Sequence, residues 1–488
     1  MSKQIPHRRM SWAAAVGLAG VLAAGAADVS PATFYVNNRT GNDAFDGRAQ
    51  EPAADGKTGP FASIMKAVRS APASAHIEIS NTGIDYRERV RVDKTAHGRP
   101  AAPFVIDGHG ATVTGLVKVP PRSWTLLTND VFGFRQTLPD GRPGPMPNSN
   151  WLGFLKHQGW FTEPEAPEIF FVNGEPGTNV LTFAELPPGG FFYDTLGTLG
   201  DARRVYFRLP AGAKLDDLTL EMPLNEGVFV DADYVVIRNL RSIYSQDDGF
   251  AGFWGYGDIF ENIDGSFNCD QGFSMHGNSA TLVDGALFER NGGAGIVDVM
   301  SSVSIYRNIV ARRNLIGGAL FQGSFHSCRN SQFTDNAGSQ VSGNRFELEN
   351  CLVRGGRQGV GLRDGGRISR CTVVNAGQGI AAGSGTLIEG CLLVSNGVAV
   401  AVAQDAVSRV KLTKNVIGLG KIAWGAELIG PEQWGAFAST NSASVAGNII
   451  ASPALDAPLH PLPKDSPLRQ EGTFGAALKE FSGWKPLD

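Results

Sequence analysis

Between Val235 and Val416 a short pattern recurs: a hydrophobic pair, a small polar residue, then another hydrophobic residue. The polar residues that end the first strand of each unit are Asn239, Asn262, Gly285, Asn308, Asn330, Asn350, Arg370, Gly390 and Asn415. They stand at intervals of 23, 23, 23, 22, 20, 20, 20 and 25 residues. A period of this size marks a solenoid, in which each unit buries its apolar face only against its neighbours. The units hold runs such as Val235-Val236-Ile237 and Val303-Ser304-Ile305, too short and too broken by glycine for pairs of helices. Leucine does not recur as a leucine-rich repeat requires. An all-β chain is expected, wound as a single-stranded parallel β-helix.

A second column lies about six residues further on, at Asn268, Asn291, Asn314, Asn336, Asn375 and Asn396, with Gly356 in the unit that begins at Asn350. Asn tolerates the left-handed backbone of a sharp turn, and amides stacked coil on coil form a ladder. The place after the first column reads Leu240, Ile263, Ala286, Ile309, Ser331, Cys351, Cys371, Cys391 and Val416, an interior stack. Three of the five cysteines thus fall in the core, where a thiol packs as a small hydrophobe. With an odd count and no C-x-x-C pair, neither a disulfide framework nor a zinc site is implied.

A solenoid grows by adding coils, so 488 residues fit one elongated body with an insertion. A formal net charge of −4 is too weak to argue for nucleic acid or a membrane surface. Residues 1 to 27, with Lys3, Arg8 and Arg9 before an apolar stretch from Trp12 to Ala24, have the form of a secretory signal peptide, too short to span a bilayer. A secreted or periplasmic monomer without membrane insertion is expected. Residues 28 to 119 hold the first coils and, in Phe61, Ile64, Met65 and Val68, the helical spacing of a cap for the open end. From 120 to 224 the period gives way to aromatics among Pro and Gly (Trp124, Phe132, Phe134, Trp151, Phe154, Trp160, Phe161), an inserted β-rich subdomain. Regular coils fill 225 to 420, and an irregular coil and tail fill 421 to 488. Residues 301 to 370 contain ten Arg, no Lys and four acids, a face suited to carboxylate or sulfate groups or simply to solvent.

The opening Phe34-Tyr35-Val36-Asn37, the Gly41-Asn42-Asp43 loop, the Gly-Pro-Phe-Ala-Ser-Ile segment at the cap helix and the 20 to 23-residue coils together resemble the right-handed parallel β-helix superfamily of pectate-lyase-like proteins. Phe170-Phe171-Val172-Asn173-Gly174, with Phe192-Tyr193-Asp194 and Val205-Tyr206-Phe207, resembles the insertion of β-helix glycoside hydrolases of that superfamily. Gly272-Phe273-Ser274-Met275-His276 is partly similar to the tyrosine-glycine-phenylalanine-aspartate-proline-histidine motif of mannuronan epimerases. Gln271, Ser274 and Met275 replace the tyrosine, aspartate and proline. The resemblance implies a right-handed helix and a polysaccharide as partner, with the insertion's aromatics forming either its own core or one side of a sugar groove.

Coils stack about 4.8 Å apart, so residues 22 or 23 apart are neighbours. Asp247 then aligns with Asp270 and Gly293, Phe250 with Phe273, Ile296 and Ala319, and Phe253 with His276, Val299 and Gln322. If Phe250 and Phe273 point inward, Ser274 and His276 face outward, with an aromatic beneath the imidazole. His276 can then abstract a proton beside a uronic carboxylate neutralised by Arg290 or Arg313. This lyase-like reading leads. Hydrolysis by Asp247, Asp248 and Asp270 is the alternative, since neighbouring carboxylates split their pKa values into acid and base roles, and a separation near 5 Å favours retention. The same acids could take calcium, the one cofactor the sequence suggests. Asp298, an acid within an apolar strand, must face a groove or find a partner and is a further catalytic candidate. Phe253, Trp254, Arg290, Arg312, Gln322 and His326 are candidate substrate contacts, and a non-catalytic glycan-binding protein remains a third reading.

Overall fold

The computed structural model describes residues 31 to 450, apart from 139 to 141, 143, 145, 148 to 168, 181, 195, 196, 201, 202 and 419. The signal-peptide segment, the tail beyond 450 and Trp151, Phe154, Trp160 and Phe161 lie outside the described residues. Each coil bends at its first-column residue: Asn239, Asn262, Asn308, Asn330, Asn350 and Arg370 have φ between 50 and 56°. Asn reaches this left-handed region at the least cost among residues with a side chain. The strands Val235–Ile243, Tyr256–Asp264, Ala280–Glu289 and Val303–Arg312 turn their corner there, so one sheet of 19 described strands covers two sides of the coil. A sheet of 12 described strands forms the third side. Pairing between coils is parallel, with Val236 opposite Ile259 and Phe250 opposite Phe273. The chain is a right-handed parallel β-helix, the hand that parallel crossovers take.

The interior is a column of aromatics. Phe250, Phe260, Phe273, Tyr306, Phe321 and Phe346 follow one another with ring centroids 5.0 to 6.1 Å apart. Burying each such ring is worth about 1.5–3 kcal/mol, which makes the stack a principal source of cohesion between coils. Beyond it the column narrows to Val341, Val360, Ile380 and Val400, all fully buried. All five cysteines are free and buried, as core packing requires.

The amide ladder is real but shorter than the sequence column. Asn268 Nδ2 donates to Asn291 Oδ1 at 3.1 Å, Asn291 to Asn314 at 2.9 Å, Asn314 to Asn336 at 2.8 Å, and Asn336 to Gln340 Oε1 at 2.7 Å. Asn375 is not a rung. It is exposed with φ 56°, and the ladder place belongs to Ala376, whose N–H donates to Asn396 Oδ1 at 2.9 Å. The offset from bend to rung is six residues, and six from Arg370 is Ala376.

The helix Ile64–Ser70 covers the N-terminal end, burying Ile64, Ala67 and Val68. It starts only after Ser63, whose hydroxyl caps Lys66 N, while the Glu88 carboxylate accepts the N–H groups of Ile64 and Met65 at 2.8 and 2.9 Å. The insertion has its own core, in which Trp124, Phe134, Phe170, Phe191 and Phe207 pack ring on ring with Leu224 and Cys269. Arginines of the later coils are held in ion pairs: Arg354 with Asp335, Arg329 and Arg370 with Glu349, and Arg367 with Glu389. Among the described residues no helix is long and apolar enough to cross a membrane.

Candidate active site

Alternation along the third-side strands decides what faces out. In Phe273–His276, Phe273 and Met275 point into the core, while Ser274 and His276 line an external groove of about 680 Å³. The same face presents Arg91 on Val90–Val92, Phe229 on Val228–Val230, Ala251 and Phe253 on Phe250–Phe253, Val297 on Ala294–Asp298 and Leu320 on Gly317–Phe321. The groove thus runs across successive coils, from a basic and aromatic end through an acidic centre to an aliphatic end.

The acids sit where each coil turns into this face. Asp270 N donates to Asp247 O at 3.1 Å and Gly293 N to Asp270 O at 2.7 Å, so the three residues are neighbours in successive coils. One carboxylate oxygen from each of Asp247, Asp248 and Asp270 lies within 4.8 Å of the other two. Gln271 ties the group together: its N–H donates to Asp248 Oδ1 at 3.0 Å, its Nε2 to Asp270 Oδ1 at 2.5 Å, and its Oε1 accepts Ala294 N at 2.6 Å. Burial pushes the Asp248 carboxyl well above the usual range, and the charges of Asp270 and Asp247 add to the push. Asp248 therefore holds its proton more tightly than an ordinary carboxyl does. Calcium takes six to eight oxygens. Asp247, Asp248 and Asp270 are the residues that would hold such an ion, and their three carboxyls would supply part of that shell, with one oxygen each of Asp248 and Asp270 already engaged by Gln271.

His276 stands one strand step away. Its ring stacks on Phe253 with centroids 4.4 Å apart and planes within 9°, and Phe229 continues the stack below Phe253 at 5.8 Å. Burial holds the imidazole below its usual pKa, against the pull of Asp298 and Asp247, which leaves it neutral at pH 7. The Ser274 hydroxyl lies 2.8 Å from His276 Nε2. Ser274 and His276 form a hydrogen-bonded pair on the groove wall that Asp248 also lines.

Several expected site residues lie elsewhere. Asp298 and His326 are fully buried inside the barrel, on the inward phase of their strands. Asp298 Oδ2 accepts the Tyr306 hydroxyl at 2.8 Å and lies 3.1 Å from His326 Nδ1, so the acid found partners rather than a groove. Arg312 and Arg313 are outside the groove lining and pair with Glu289 at 2.7 and 3.6 Å; exposed Arg290 is also off the lining. Gln322 and Phe253 do line the groove, and Trp254, the exposed residue that follows Phe253, is not among its lining. No described residue between 120 and 224 lines it; the insertion instead packs behind the acid turn through Cys269. Two basic residues that the sequence reading missed do line it: Arg89, paired with Glu226 at 2.7 Å, and Arg91, whose guanidinium lies 4.7 Å above the Phe229 ring.

No protein-family model and no curated protein matches the chain. Similar solved structures include XylC in complex with xylose, at 12% identity and a TM-score of 0.50 over 80% of this chain and 69% of that one. A glycoside hydrolase is similar at 10% identity and a TM-score of 0.48, over 92% of this chain and 100% of that one. Pectate lyase Pel9A is similar at 12% identity and a TM-score of 0.46, over 80% of each chain. At such identities the likeness to XylC is one of fold, and it agrees with the coils described above: the chain is a parallel β-helix.

Proposed function

We propose that the groove hydrolyses a glycosidic bond in a polysaccharide. The observation that carries this reading is the cluster of Asp247, Asp248 and Asp270, one carboxylate oxygen of each within 4.8 Å of the other two in an open groove, where burial pushes the Asp248 carboxyl above the usual range. Asp248 would give its proton to the glycosidic oxygen as the C–O bond breaks. Asp247 and Asp270, acting as carboxylates, would stabilise the positive ring and then add to it or take a proton from the attacking water. Arg89 and Arg91 give one end of the groove a positive character suited to an acidic sugar.

The elimination reading keeps one favourable observation, a neutral His276 on the groove wall. It lacks a cation beside that base, however. Arg290, Arg312 and Arg313 lie off the groove, and Arg91 is three strands from His276, roughly 14 Å at the spacing of paired strands. Hydrolysis therefore leads.

The test is the rate of Asp248→Asn and Asp270→Asn on whichever glycan the wild type cleaves. A panel of xylan, neutral β-glucans and uronic-acid polymers is apt, xylan because XylC binds xylose. Loss of about 10²–10⁴ in kcat for Asp248→Asn is expected of a general acid; a rate within a few-fold of wild type would reject the assignment.

A further inference from the structure

Trp254, Gly277 and Met300 occupy one place in three successive coils, at the turn that follows each groove-facing strand. All three are left-handed, with φ of 61, 73 and 62°. Gly277 takes that conformation freely, but an indole or a thioether does so at a cost, and such outliers in bulky residues persist where something else demands them. The glycine serves the tryptophan: a Cβ at Gly277 would come within 2.8 Å of the indole, so only Gly lets the ring lie over the next coil. Yet the fold does not bury what it has placed. Trp254 is 55% exposed and Met300 63%. The shelf adjoins two groove-lining residues: Trp254 directly follows Phe253, and its N–H donates to His276 O at 3.3 Å. The strand Phe250–Phe253 runs from the acid turn on one side to this shelf on the other, roughly 13 Å at 3.3 Å per residue.

We infer that Trp254, extended by Met300, is a stacking subsite for a pyranose ring of the polysaccharide bound in the groove, on the side opposite the acids. A pyranose presents a face of C–H bonds that an indole covers with little further loss of freedom, because the turn and Gly277 already fix the ring. This inference rests on the proposed glycan-cleaving function and adds a binding site to it.

The experiment compares wild type, Trp254→Ala and Trp254→Phe. KM is measured on the cleaved polysaccharide, and affinity is measured by calorimetry in an Asp248→Asn background with its hexasaccharide. Trp254→Ala is expected to weaken binding and raise KM roughly tenfold, a change of about 1.4 kcal/mol, with the loss falling in KM rather than kcat. Trp254→Phe should recover part of it. Wild-type cleavage with no change in KM or affinity for Trp254→Ala overturns the subsite and leaves the hydrolase reading intact. No binding and no cleavage by any form overturns both. A wild-type dimer in sedimentation that Trp254→Ala converts to monomer would reassign the shelf to a second copy of the chain.

Discussion

Asn291 and Asn375 look equivalent in sequence and should respond very differently to substitution. Asn291 is fully buried, and its Oδ1 accepts both Asn268 N at 2.9 Å and Asn268 Nδ2 at 3.1 Å, while its Nδ2 donates to Asn314 Oδ1 at 2.9 Å. Asn291→Ala removes three bonds and leaves the Asn268 N–H unpaired in the interior, a cost of about 3 kcal/mol at roughly 1 kcal/mol per bond. Asn375 is exposed, with a left-handed backbone that glycine adopts readily. Asn375→Gly should change stability by less than about 0.5 kcal/mol, the range of ordinary surface changes. Urea unfolding followed by circular dichroism measures both. Because Asn268 lies two residues before Asp270, Asn291→Ala should also lower activity below its unfolding transition, whereas Asn375→Gly should not. Equal destabilisation by the two variants, or a loss under about 1 kcal/mol for Asn291→Ala, would refute the ladder register.

Three other outcomes are expected. Activity should fall as pH rises through the raised pKa of Asp248, since the acid must be protonated, and Asp248→Asn should lose that alkaline limb of the rate profile. Burial raises the Asp258 carboxyl to about 8, so the native state holds a proton the unfolded chain releases near 3.8. Its contribution to stability is present below that lower value and lost as pH climbs toward 8. Asp258→Asn, which keeps an acceptor for Val235 N, should therefore be more stable than wild type at pH 9 and not at pH 4 in thermal melts. The close carboxylates favour retention at the anomeric centre, and proton NMR of the first-formed product reads this directly; inversion would mean that water, rather than a carboxylate, attacks the sugar.

The repeat made the coils legible because a parallel stack converts sequence period into spatial register. The alignments of Phe250 with Phe273 and of Asp247 with Asp270 needed only the interval of 23. The same rule fails where the interval breaks. Arg91 stands opposite Phe229 in the fold, yet the insertion separates them in sequence, so no period pointed to the basic end of the groove. Asp298 was misplaced for a different reason. Its strand phase, read from Phe273 through Ile296, already put it inside, but an isolated acid in an apolar strand suggests exposure unless Tyr306 and His326 are known to meet it there. Arg312 and Arg313 invited a substrate role through charge alone, and Glu289 one coil away satisfies them.

The most direct test of the central claim follows the products of the chain on a glycan it cleaves, recording new reducing ends and near-ultraviolet absorbance together. Reducing ends without absorbance, abolished by Asp248→Asn and only reduced by His276→Ala, are the expected result. An unsaturated, absorbing product that persists in Asp248→Asn and vanishes in His276→Ala would contradict the hydrolytic account and return the groove to proton abstraction by His276.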